Sequence, residues 1–104
     1  MQILVNTDKN INGNERLQDK FSDQISKEIE RFKSHITRIE AHITDQNGKK
    51  KGTKDFICIL EARLEGRQPI AVSDQEDTIE QAVSGALNKL KAALETILGR
   101  LQNH

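Results

Sequence analysis

Apolar positions change their spacing several times along the chain, and each change marks an element. Ile3 and Val5 alternate with Gln2 and Asn6, interrupted by Leu4, and the β-branched content predicts a short strand over 2–7. Asp8 to Gly13 is rich in turn formers, and Asn12 followed three residues later by Glu15 has the spacing of a capping box, which predicts a helix start. Leu17, Phe21, Ile25, Ile29 and Phe32 then recur every three or four residues. At about 100° per residue they share one face roughly 120° wide, the core face of a first helix. From Ile36 the period falls to two, with Ile39, Ala41 and Ile43 set against Arg38, Glu40, His42 and Thr44, the pattern of a half-buried strand.

Asp45 to Gly52 predicts a hairpin loop, because Asn47-Gly48 supplies the positive φ values of a tight reversal. A third strand is expected from Thr53 to about Leu64. Its even positions Phe56, Cys58, Leu60, Ala62 and Leu64 are all apolar, whereas its odd positions change from Ile57 and Ile59 to Glu61, Arg63 and Glu65. Glu65 to Gln68 forms a second turn, and Pro69 to Ser73 a short fourth strand whose proline suits an edge or a strand start. The strongest signal is last: Ile79, Ala82, Val83, Ala86, Leu87, Leu90, Ala93, Leu94, Ile97, Leu98 and Leu101 keep helical spacing to the end of the chain. Two helices with one apolar stripe each, and strands with one apolar face, are satisfied by laying both helices on one face of a four-stranded sheet. The expected class is α+β, a two-layer β-α-β-β-β-α domain spanning residues 1–104.

Composition narrows the chemistry. Sixteen basic and sixteen acidic residues cancel, which excludes a protein that coats nucleic acid by bulk attraction. Local segregation is pronounced instead, with Lys49, Lys50, Lys51 and Lys54 in one acid-free stretch and Asp74, Glu76, Asp77 and Glu80 in one base-free stretch. No segment approaches the ~18 apolar residues of a membrane-spanning helix, and the N-terminus has no basic leader. The single cysteine, Cys58, lies in the apolar register of a central strand and reads as an inert core residue, so a cytoplasmic setting is expected. His35, His42 and His104 fall in a turn, a strand face and the terminus, too scattered for a metal site. Gly48 to Gly52 lacks the spacing of a phosphate-binding loop, and carboxylate pairs such as Glu28 and Glu30 sit on helix surfaces. No cofactor, metal or small-molecule substrate is expected, and the chain reads as non-enzymatic.

The charges on the helices carry more information. Projected with Lys20 at zero, Arg16, Lys27 and Arg31 fall at about −40°, −20° and +20°, a basic stripe beside an acidic one formed by Asp19, Glu30, Asp23 and Glu15. The i,i+4 pairs Arg16/Lys20 and Lys27/Arg31 repel by ~0.2–0.5 kcal/mol each in an isolated helix, which points to an external anion. Lys89 and Arg100 lie on one flank of the second helix and extend the basic surface. The candidate RNA-binding set is therefore Arg16, Lys20, Lys27, Arg31, Lys89 and Arg100, with Lys49, Lys50 and Lys51 at the hairpin tip. With no Trp or Tyr and three Phe, stacking on single-stranded bases is excluded as the main mode, leaving phosphate and shape.

The sequence resembles the short hibernation-promoting factor/ribosome-associated inhibitor A family, the ribosomal subunit interface proteins. The resemblance spans nearly the whole chain. It rests on the opening Met1-Gln2-Ile3 strand, the Leu17 to Phe32 helix, the Glu61-Ala-Arg-Leu-Glu-Gly-Arg-Gln-Pro-Ile-Ala-Val-Ser73 hairpin and Asp77-Thr-Ile-Glu-Gln-Ala-Val-Ser-Gly-Ala-Leu-Asn-Lys-Leu90. Lys89 occupies the lysine of that family's Lys-Leu pair, and Lys27 a basic position late in its first helix. The resemblance implies binding to ribosomal RNA phosphates in the mRNA and tRNA channel of the small ribosomal subunit, silencing translation in stress or stationary phase. The chain departs from the pattern at Ile79, where the family has an aromatic, near Ser84 and Ala92, where it has an acid and an arginine, and at Thr96 to Arg100, where it is rich in lysine. The chain stops at His104, so the C-terminal dimerisation domain of the family's long form is not expected. Two competing readings remain: a protein-interaction module using Ile57 and Ile59 on the open sheet face or the acidic Asp74–Glu80 segment, and a general double-stranded-RNA binder.

Overall fold

A computed structural model describes residues 1–8, 11, 15–46 and 55–102, with side chains to residue 99. The order is β1 (Gln2–Thr7), α1 (Glu15–Glu28), a 3₁₀ segment (Glu30–His35), β2 (Ile36–Asp45), β3 (Phe56–Leu64), β4 (Ile70–Glu76) and α2 (Ile79–Gln102). The strands form one sheet in the order β1-β2-β3-β4. β1 pairs parallel to β2, with Ile3 opposite Ile39 and Val5 opposite Ala41, and the remaining pairings are antiparallel. A parallel neighbour requires a crossover, and α1 with its 3₁₀ extension supplies it.

Period-two alternation decides which sheet face is buried. Ile39, Ala41 and Ile43 on β2 and Cys58, Leu60 and Ala62 on β3 are completely enclosed, while His42, Ile59 and Arg63 on the opposite parity are exposed, as is Thr37 at the register irregularity between Ile36 and Arg38. The helices cover the buried face, α1 against β1 and α2 against β3 and β4. Phe21, Ile25, Ile29, Leu87, Leu90 and Leu94 fill the space between the layers. Each such side chain contributes about 1.5–3 kcal/mol on burial, which is where the fold's stability resides.

Three boundaries differ from the sequence expectation. α1 ends at Glu28, and the chain tightens into a 3₁₀ segment in which Phe32 N–H donates to the Ile29 carbonyl at 2.9 Å. An i,i+3 pair shares a face in either helix type, so Phe32 remains buried although the helix has changed. β4 runs on to Glu76, which places the first acids of the Asp74–Glu80 segment within the sheet. β3 begins at Phe56, and residues 53 and 54 lie outside the described residues. So do most of the hairpin loop, the expected cap at Asn12, and His104. At the start of α2, Thr78 Oγ1 accepts the Gln81 N–H at 3.1 Å and its hydroxyl reaches the Gln81 side chain at 3.2 Å, a Thr-x-x-Gln cap.

Candidate nucleic-acid interface

β4 is parallel to β2 through β3, and each helix descends from the end of a strand pointing the same way, so α1 and α2 lie side by side in the same direction. The facing edges are polar and make an ascending series of contacts. Lys20 Nζ meets Glu80 Oε2 at 3.6 Å, Gln24 Nε2 donates to Ser84 Oγ at 3.3 Å, Lys91 Nζ donates to Glu28 Oε1 at 2.9 Å, and Arg31 pairs with Glu95. Lys20, Asp23, Gln24, Lys27 and Glu28 line a shallow groove of about 460 Å³ beside this seam.

The predicted basic stripe therefore divides. Arg16 and Lys27 are exposed on α1 and have no ion pair among the described residues. Lys20 and Arg31 are also exposed but already face carboxylates of α2, so the repulsion inferred from the projection is relieved inside the molecule. Arg31 lies in the 3₁₀ segment, where each residue turns about 120° instead of about 100°, and its guanidinium also sits 4.6 Å from the centre of the Phe32 ring. Such exposed pairs are worth ~0–1 kcal/mol each. Arg100 lies on α2 beyond the described side chains, and Lys49, Lys50 and Lys51 lie outside the described residues.

Lys89 serves the fold. Its Nζ donates to the Ser73 carbonyl at 2.8 Å and to Asp74 Oδ1 at 3.2 Å, tying α2 to β4. Asp74 has the parity of Ile70 and Val72, so it points toward the helix layer, opposite Cys58 in the register and only 13% exposed at its side chain. Partial burial works against its charged form. Hydrogen bonds with Glu76, Lys89 and the Gln75 backbone N–H, together with the charge of Lys89, outweigh that and hold the carboxyl below the ordinary carboxylate range. Gly85 on α2 makes room for it: a Cβ there would collide with Asp74 Oδ2 and stand 2.5 Å from its Cγ. Burial, aided by the Asp74 charge, pushes the Cys58 thiol up to about 12, so it carries no nucleophile at neutral pH. Glu28 is likewise raised by burial but lowered more by its hydrogen bonds from Lys91 and Gln24 and by the Lys91 charge, and it titrates below its ordinary value.

The open sheet face offers little to an apolar partner. Ile59 is 42% exposed, but its neighbours in the register are His42 and Ser73. Glu40 and Glu61 stand opposite each other, as do Arg38 and Arg63, and each arginine leans along its own strand onto the nearby glutamate. His42 Nε2 lies 3.8 Å from Glu40 Oε2. Among the described residues no group of three His, Cys, Asp or Glu side chains could hold a metal ion, and no helix is long and apolar enough to cross a membrane.

A four-stranded sheet with two helices packed on one face defines a two-layer α+β domain, and comparison places the chain more narrowly. The chain belongs to the family described as Sigma 54 modulation protein / S30EA ribosomal protein, whose model matches residues 5–102. This is a family of ribosome-associated, generally non-enzymatic factors. Among solved structures, the fold is similar to the Thermus thermophilus Protein Y N-terminal domain, at TM-score 0.68 and 10% identity over 92% of this chain and 94% of that one. It is also similar to a ribosomal subunit interface protein from Coxiella burnetii, at TM-score 0.70 and 17% identity over 95% of this chain and 99% of that one. No curated protein sequence matches the chain.

Proposed function

We propose that the protein is a cytoplasmic factor that docks on the small ribosomal subunit, in the channel used by mRNA and tRNA, and silences translation under stress or in stationary phase. The observation that carries this reading is the exposed basic edge of α1, with Arg16 and Lys27 unpaired among the described residues and Lys20 between them. The reading also rests on membership of a ribosome-associated family. Arg16, Lys20 and Lys27 are the primary phosphate ligands. Arg31, Lys89 and Arg100 on the helices, and Lys49, Lys50 and Lys51 at the hairpin tip, extend the surface. Phe21 and Phe32 are buried and Phe56 is partly so, which leaves no aromatic platform for base stacking among the described residues. Recognition is then of RNA backbone and shape and weakens steeply with salt.

The test is binding of purified small subunits by the wild type and by an Arg16→Glu, Lys20→Glu, Lys27→Glu variant. The proposal expects the variant to lose binding while unfolding within about 1 kcal/mol of the wild type, since these side chains are exposed and, among the described residues, Lys20 alone gives up an exposed pair, with Glu80. Binding retained by the folded variant contradicts it. A protein-interaction module is the second reading. The charged, self-paired open sheet face gives it less support than the unpaired basic edge gives the first.

A further inference from the structure

We propose that Glu80 and Glu95 on α2 act as built-in competitors of RNA phosphate for the basic edge of α1, lowering its affinity below what the number of bases implies. The inference rests on the ribosome-docking reading above and adds its regulation. The seam between the helices is not uniform. Its central rung, Lys91 with Glu28, is half-buried, at 31% and 30% side-chain exposure, and Gln24 reinforces it by donating to Glu28 Oε2 at 2.9 Å. That rung joins the helices.

The outer rungs are different. Lys20 and Glu80 are 56% and 59% exposed, and Arg31 and Glu95 are 61% and 57% exposed. Their polarity is also reversed relative to the central rung, with the base on α1 or its 3₁₀ extension and the acid on α2. A carboxylate and a phosphodiester offer the same feature to a cation, an anionic oxygen that accepts charge-assisted hydrogen bonds. A phosphate that takes Lys20 or Arg31 must therefore displace a glutamate, which stays tethered a few ångströms away and repels it. Arg16 and Lys27 exact no such cost. Exposure sets the scale, because a solvated pair is weak enough to be exchanged. The paired bases thus engage RNA only when several phosphates are presented together at the correct spacing, while scattered contacts with other RNA are disfavoured.

The experiment is a salt titration of fluorescently labelled protein against purified small ribosomal subunits, comparing wild type with Glu80→Gln, Glu95→Gln and the double variant. Glu65→Gln, at the β3–β4 turn, removes the same charge away from the seam and serves as control. The proposal expects each seam substitution to tighten binding roughly two- to fivefold, the range by which exposed pairs couple. It expects the slope of log affinity against log salt to steepen by about 0.7–0.9 for each freed cation. The control should change neither. If neither seam variant binds more tightly than the wild type, or if Glu65→Gln tightens binding equally, the inference is overturned and the docking reading is left intact. If neither wild type nor variants bind at low salt, both fall. Binding by the variants alone establishes the competition in its strongest form.

Discussion

Gly85→Ala is the sharpest probe of how α2 is fixed to β4. A Gly to Ala change inside a helix ordinarily stabilises by about 1 kcal/mol. Here the new methyl collides with Asp74 Oδ2 and stands 2.5 Å from Cγ and 3.2 Å from Cβ of that residue. The carboxylate cannot withdraw freely, because it faces the helix layer opposite Cys58 and is held by Lys89 at 3.2 Å. Overpacking of this kind costs ~1–3 kcal/mol. Breaking the charge-assisted hydrogen bond adds at most ~1.5–3 kcal/mol, discounted because Lys89 is 55% exposed. The net expectation is a destabilisation of about 1–3 kcal/mol, a fall in Tm of roughly 4–20 °C for a domain of this size. The decisive assay repeats the substitution in an Asp74→Ala background, following thermal and urea unfolding by circular dichroism. With the carboxylate gone only the 3.2 Å approach to the Cβ of residue 74 remains, so most of the penalty disappears and Gly85→Ala should then be near neutral or stabilise by up to ~1 kcal/mol. A penalty undiminished in that background, or a single variant as stable as the wild type, refutes the steric argument.

Other consequences follow from the same contacts. Asp74 and Glu28 titrate below ordinary carboxylates, so the folded state binds fewer protons than the unfolded chain. Their contribution is complete above about pH 5–6 and is lost as pH falls through the ordinary and then the depressed folded values, so urea midpoints should drop on acidification and Asp74→Asn should flatten that acid limb. An acid limb unchanged in Asp74→Asn contradicts the assignment. Cys58 should resist a thiol reagent at neutral pH until the protein unfolds, being completely enclosed with its thiol pushed up to about 12. Rapid labelling of the native protein would show that β3 or α2 opens far more readily than this packing allows. Charge reversal at Lys89 should destabilise the fold by setting carboxylate against carboxylate at Asp74, in contrast to reversal at Lys27, which should be neutral in the same unfolding assay.

Much of the fold was legible because its signals are periodic. The alternation in Ile39, Ala41 and Ile43 and in Cys58, Leu60 and Ala62 gave the buried sheet face, and the long apolar series from Ile79 gave α2. The end of α1 was not legible, since Ile29 and Phe32 at i,i+3 satisfy an α-helix and a 3₁₀ segment alike. The end of β4 was not legible either, since acids such as Asp74 and Glu76 are uncommon in strands, although they share the parity of Ile70 and Val72. The candidate site was legible as a stripe on one helix and no further. A projection of α1 places Lys20 and Arg31 beside Arg16 and Lys27, but it holds no information on what α2 brings opposite. Glu80 and Glu95 become partners only when both helices are laid in the same direction on one sheet. Lys89 shows the same limit: its spacing suggested an exposed base, and its partners lie on a strand 15 and 16 residues earlier.

The most direct test of the central claim is sedimentation of stationary-phase lysate through sucrose gradients at low and high salt, with the protein followed in every fraction. Electrostatic docking through the edge of α1 predicts co-migration with small subunits or whole ribosomes at low salt and release to the top of the gradient at high salt. Protein that stays at the top even at low salt contradicts ribosome docking.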